Sequence, residues 1–129
     1  MKILSKLKAQ YFWSLGLKRF CQGKQDEAVL FFEKAGRLDP TNYGDALHYS
    51  FLGRGYLALD RAEEALSALS RAYELFLAND PPRWSEYERE QFVATLKAFA
   101  NALHRCGQFE RAKQVVQEVT EHMAGRRDV

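Results

Sequence analysis

A chain of 129 residues and 14.9 kDa, 47% hydrophobic and 28% charged, has the balance of one globular domain and excludes collagen, a disordered tail or a set of membrane spans. At that mass a compact fold exposes roughly 7,000 Å² against about 21,600 Å² for the unfolded chain, enough burial for a real core. The 19 basic and 17 acidic side chains leave +2, too slight to argue a polyanion partner, and Cys21 and Cys106, far apart, build neither a disulfide framework nor a four-ligand zinc site.

The N-terminal stretch Met1 to Phe20 is basic and apolar, but Lys6 and Lys8 interrupt it where a signal peptide needs an uncharged core, so it reads as mature protein. Residues 1 to 43 carry eight Lys/Arg against four acids, and the remainder is slightly acidic. Proline occurs only at 40, 81 and 82, and the segments between are rich in Leu, Ala, Glu, Lys, Arg and Gln. These residues lose least on entering a helix. No run of β-branched residues alternates, so the chain is expected to be all-α.

Six helices are predicted at about 3–22, 25–38, 44–59, 61–78, 84–106 and 109–124. Gly23, Pro40 and Gly107 mark three breaks. Asp60 with Glu63, and Ser85 with Glu88 after the two prolines, have capping-box spacing and are expected to open the fourth and fifth helices. The fifth helix is expected to begin early and overshoot its neighbours by two or three turns. In the sixth, Arg111, Lys113, Gln114, Gln117, Glu118 and Glu121 are expected outward and Ala112, Val115, Val116, Val119 and Met123 inward, a polar coat closing the far end. Residues 125–129 are expected to fray.

The chain repeats internally. Phe12, Leu15, Gly16, Gly23, Ala28, Phe32 and Ala35 fall on Tyr49, Leu52, Gly53, Asp60, Ala65, Leu69 and Ala72 at a shift of 37 positions, and a further 47 leads to Leu96, Phe99, Ala100, Gly107, Ala112, Val116 and Val119. Large, small and turn residues recur in one order three times. The second unit reads Tyr49-x2-Leu52-Gly53-x2-Tyr56, then Ala65-x3-Leu69-x2-Ala72. Small residues at Gly16, Gly53 and Ala100 in one helix and Ala28, Ala65 and Ala112 in the next let two antiparallel helices approach closely.

This pattern resembles the tetratricopeptide repeat over about residues 9 to 124. Departures are Arg19 in place of an aromatic residue, Val119 in place of alanine, and no proline closing the second or third unit. The resemblance implies a right-handed α-solenoid of three helix pairs in one domain, with repeats at about 9–42, 46–79 and 84–124 and an elongated first helix in the third pair. It further implies a concave wall lined by the first helix of each pair. The positions implied to face a peptide are Trp13, Leu17 and Phe20; then Ser50, Arg54 and Leu57; then Lys97, Asn101, His104 and Arg105. Such a wall suits a polypeptide that pairs an apolar anchor, on Trp13 and Phe20, with acidic groups near Arg54, Lys97 and Arg105. Repeats of this family that clamp acidic chaperone tails place Lys, Asn or Arg where this chain has Trp13, Leu17, Phe51, Ala94 and Ala98, so no such clamp is expected.

Little supports catalysis. His48, His104 and His122 stand apart from one another and from any metal-ligand spacing, and Gly53-x-Gly55 runs into a helix interior rather than a phosphate loop. Neither cysteine sits beside a His or Asn/Asp partner that would make it a nucleophile. No enzyme activity, cofactor, metal, nucleic-acid partner or stable membrane insertion is expected. Ile3, Leu4, Leu7 and Tyr11 exceed the needs of one intramolecular face, which makes a homodimer through the N-terminal helix the alternative to peptide binding. A cytoplasmic location is expected from the cysteine usage.

Overall fold

A computed structural model describes residues 2–78 and 84–127, with side chains described through 122. It contains α1 (Lys2–Cys21), α2 (Gln25–Leu38), α3 (Ala46–Ala58), α4 (Ala62–Ala78), α5 (Glu86–Arg105) and α6 (Phe109–Arg127), and among the described residues no strand. Consecutive helices pair as α1/α2, α3/α4 and α5/α6, and the pairs stack in chain order, α2 and α4 each also touching the first helix of the next pair.

The turns inside the pairs share one geometry. Gly23, Asp60 and Gly107, equivalent in the three units, have φ of +77°, +61° and +80°. The next amide then reaches back to a carbonyl five residues earlier: Lys24 to Arg19, Arg61 to Tyr56 and Gln108 to Leu103, each at 2.9 Å. This left-handed closure satisfies carbonyls at the end of each first helix. Asp60 therefore ends α3 rather than capping α4, which starts at Ala62, and its carboxylate accepts from Arg105 Nη1 at 3.1 Å. The capping box expected at Asp60 and Glu63 is replaced by that closure, because one backbone cannot be left-handed and extended at the same residue.

The second expected box forms. Ser85 Oγ accepts from the Glu88 amide at 3.1 Å and the Glu88 carboxylate from the Ser85 amide at 3.4 Å. It starts α5, which with 20 residues exceeds the 13-residue α3 by about two turns. It matches the 20 residues of α1 and exceeds the 17 of α4 and 19 of α6 by less than a turn, so among the helices packed on it the expected overshoot holds against α3 alone. Pro81 and Pro82 lie outside the described residues. Before α3 the chain spends Asp39 to Asp45 in a loop, and Asp45 caps the helix by accepting from the His48 amide at 3.0 Å. Helix α6 continues to Arg127, past the point where fraying was expected, while residues 128 and 129 lie outside the described set.

Small residues set the distance within each pair. A Cβ on Gly16 would sit 2.6 Å from two carbons of the Phe32 ring, and one on Gly53 would sit 2.6 Å from Leu69 Cγ. Ala28, Ala65, Ala100 and Ala112 are all buried. Phe32, Leu69 and Leu96 are buried completely beside them, as large residues one turn from a small one must be when two helices close over both.

Candidate functional site

The helices α1, α3 and α5 stand side by side and carry the positions singled out from the sequence. At the first joint Trp13 is half-buried, its ring centroid 4.9 Å from Phe32, 5.5 Å from Tyr43, 5.8 Å from His48 and 5.9 Å from Phe51. Phe20 meets Phe51 edge-on at 5.3 Å, and Leu17 packs partly buried on the same core. His48 Nε2 donates to the Phe32 carbonyl at 3.0 Å. Burial holds the His48 pKa below its usual value, against smaller opposite pulls from that hydrogen bond and from Asp45. The ring is thus a neutral core donor.

The equivalent positions of the second repeat meet α5. Ser50 is fully buried and its hydroxyl lies 2.6 Å from that of Thr95, which also donates to the Gln91 carbonyl at 2.6 Å. The Arg54 guanidinium lies 4.3 Å from the Phe51 ring centre and 5.4 Å from that of Phe20, and donates to Gln91 Oε1 at 2.9 Å. Burial pulls the Arg54 pKa down, but a guanidinium stays protonated near neutrality. Leu57 is buried, and its carbonyl accepts from Arg105 Nη1 at 3.3 Å. Arg105 is further held by Asn101 Oδ1 at 3.1 Å.

Trp13, Leu17, Phe20, Ser50, Arg54 and Leu57 therefore serve the joints between repeats, and their apolar surface is largely spent there. Lys97, Asn101 and His104, in the same register one repeat later, are exposed. They line a cleft with Ala100, Phe109, Ala112, Lys113 and Val116 at the C-terminal end of the stack. Val116, expected inward, is 53% exposed; Lys113, Gln114, Gln117 and Glu121 are exposed as expected, whereas Glu118, expected outward, is half-buried and accepts from the Tyr73 hydroxyl at 2.9 Å. Arg111, expected outward, is half-buried, its guanidinium 5.6 Å from the Tyr73 ring centre. Met123 lies outside the residues whose side chains are described. Phe109 reads in the sequence only as the start of a helix two residues after Gly107, and its place on this cleft is set by the packing of α6 on α5.

At the other end Ile3, Leu4, Leu7 and Tyr11 are exposed on α1. Leu7, Tyr11, Phe12 and Leu38 form an apolar cleft edged by Lys8, Lys34 and Arg37, with the Lys34 ammonium 5.2 Å from the Phe12 ring centre. Among the described residues no group of His, Cys, Asp and Glu has the geometry of a metal site, and no helix is long and apolar enough to cross a membrane.

Paired helices with small residues at the crossings and left-handed closures in identical register define a helical-repeat protein. No model of a known protein family matches the chain. It is 35% identical over 108 residues to a protein of Dictyostelium discoideum, "Protein STIP1 homolog", across 83% of this chain and 16% of the relative. The chain thus spans about one sixth of that protein's length. A solved structure, "Crystal structure of MamA", superposes at a TM-score of 0.48 with 20% identity, covering 94% of this chain and 81% of the other. The identity to the Dictyostelium relative supports the tetratricopeptide-repeat resemblance carried by the sequence.

Proposed function

We propose that the protein is a non-catalytic binding module, an adaptor, assembly factor or chaperone-like holder, that engages another polypeptide along the wall of α1, α3 and α5. The observation that carries this reading is the fixing of Arg54 and Arg105 on that wall, one stacked over two rings and bonded to Gln91, the other held by Asn101, Asp60 and the Leu57 carbonyl. A cation already immobilised loses little further entropy when it meets a carboxylate. The partner accordingly brings acidic groups beside an apolar anchor. The anchor rests on the half-exposed Leu47, Ala94 and Ala98 beside Trp13, Leu17 and Phe20, which pack partly buried on the core at the first joint.

The positions that hold charged or amide side chains in the clamps for acidic chaperone tails are Trp13, Leu17, Phe51, Ala94 and Ala98 here, so the reading excludes a clamp of that kind. Pull-down from native lysate with the wild type, Arg105→Glu and Arg54→Gln tests it. Proteins retained by the wild type and lost from both variants, with unchanged circular dichroism, support the wall. Identical recovery from all three refutes it.

The exposed Ile3, Leu4, Leu7 and Tyr11 favour a second reading, a homo-oligomerisation module in which α1 pairs with α1 of another copy. Sedimentation then finds a dimer that Leu7→Glu or Tyr11→Glu dissociates. A wild-type monomer at high micromolar concentration rules that reading out.

A further inference from the structure

The three repeats place the same register positions on their C-terminal faces, and among the described residues a helix covers two of those faces and none covers the third. In the first repeat Phe32 is 0% exposed under α3, as is Val29 at 1%, whose register falls on the rim residue Lys113 in the third repeat. A Cβ on Gly55 of α3 would come within 2.6 Å of Val29 Cγ2. In the second, Leu69 is 0% exposed, and α5 lies over the face through Thr95 and Gln91. In the third, the equivalent Val116 stands 53% exposed and Phe109, at the head of the same helix, 54%. Ala100 and Ala112 form the floor between them, in a cleft of about 710 Å³.

We propose that this face is a seat for an amphipathic helix of a partner polypeptide, one whose apolar stripe is flanked by acidic residues. The seat follows from the register: a surface built by the rules that receive α3 and α5 has the spacing of ridges and grooves for one more helix. The acidity follows from the rim. Lys97 and Lys113 edge the cleft, and among the described residues no carboxylate lines it. The nearby acid Glu110 touches Lys113 at 3.6 Å, with both side chains more than three-quarters exposed, an exchangeable pair of small worth. His104, edge-on to Phe109 at 4.9 Å, adds a ring that faces the same space. A second copy offering α1 is disfavoured by sign, since Lys2, Lys6 and Lys8 flank the exposed apolar residues of that helix. The inference assumes a protein-binding role but not the wall of α1, α3 and α5.

Two synthetic 20-residue helices with the same leucine stripe, one flanked by glutamates and one by lysines, test it by fluorescence anisotropy on the full chain. The acidic peptide is expected to bind at least ~tenfold more tightly than its basic twin, and Lys97→Glu/Lys113→Glu to weaken it by about tenfold, as loss and reversal of two surface pairs implies. Val116→Asp abolishes that binding, while Arg54→Gln, on the wall, leaves it within about twofold. Loss of wall binding with the acidic peptide still seated would refute only the wall. Equal binding of the twins, or indifference to the lysine reversals, overturns the inference. So does self-association that Val116→Asp removes, which assigns the face to a second copy.

Discussion

Gly53 shows how a single absent side chain decides a helix crossing. A methyl there meets Leu69 Cγ at 2.6 Å and Ala68 Cβ at 3.3 Å, and Leu69 is completely buried and has nowhere to go. Alanine would gain about 1 kcal/mol of helix propensity, but overpacking in a closed core costs about 1–3 kcal/mol. Gly53→Ala and Gly16→Ala are therefore expected to lower stability in urea titration, against the usual sign of Gly→Ala in a helix. His48 makes a second prediction at this scale. Its folded-state pKa lies below the ordinary 6.5, so the unfolded chain binds a proton that the folded chain refuses. The contribution to stability is complete above that value and drains away as pH falls through it toward the folded pKa. His48→Gln, whose amide can still donate to the Phe32 carbonyl, is expected to flatten the fall in Tm between pH 7 and 5.

Among the elements, the turns after α1, α3 and α5 are the most alike, yet only the middle one lacks glycine. Asp60 holds a φ of +61° that a Cβ disfavours, at a cost of about 1 kcal/mol. Its ion pair with Arg105, 88% exposed on the Asp60 side, returns little. Asp60→Gly is accordingly expected to raise Tm by several degrees, measured by circular dichroism. Of the two capping boxes expected from the sequence, the Ser85–Glu88 one forms and the Asp60–Glu63 one does not. Spacing alone suits both, and what separates them is a turn closed from the preceding helix. The sixth helix shows the same limit. Its apolar positions recur at helical spacing, but Val116 is 53% exposed because among the described residues no further helix packs over its face.

For the whole molecule, stacking makes stability a sum of pairs and joints. Helices α3 and α4 lie between two joints, whereas α1 and α6 stand at the ends. Amide exchange is expected to be slowest in α3 and α4 and to quicken toward α6, where local opening breaks the fewest contacts. Uniform protection would show that the chain unfolds as one unit. The folded chain exposes 7862 Å², more than the roughly 7,000 Å² of a compact body of this mass.

By itself the sequence determined the helices, their pairing and the order of small and large residues at each crossing. Those depend on spacing within some forty positions and on side-chain size. It did not separate residues that fill a joint from residues that face a partner, since Trp13, Ser50 and Lys97 share one register in three repeats. Only the tertiary structure decided that the first two are spent on the next repeat and the third is open. Burial is conferred by whatever packs against a face, and that neighbour lies a whole repeat away along the chain.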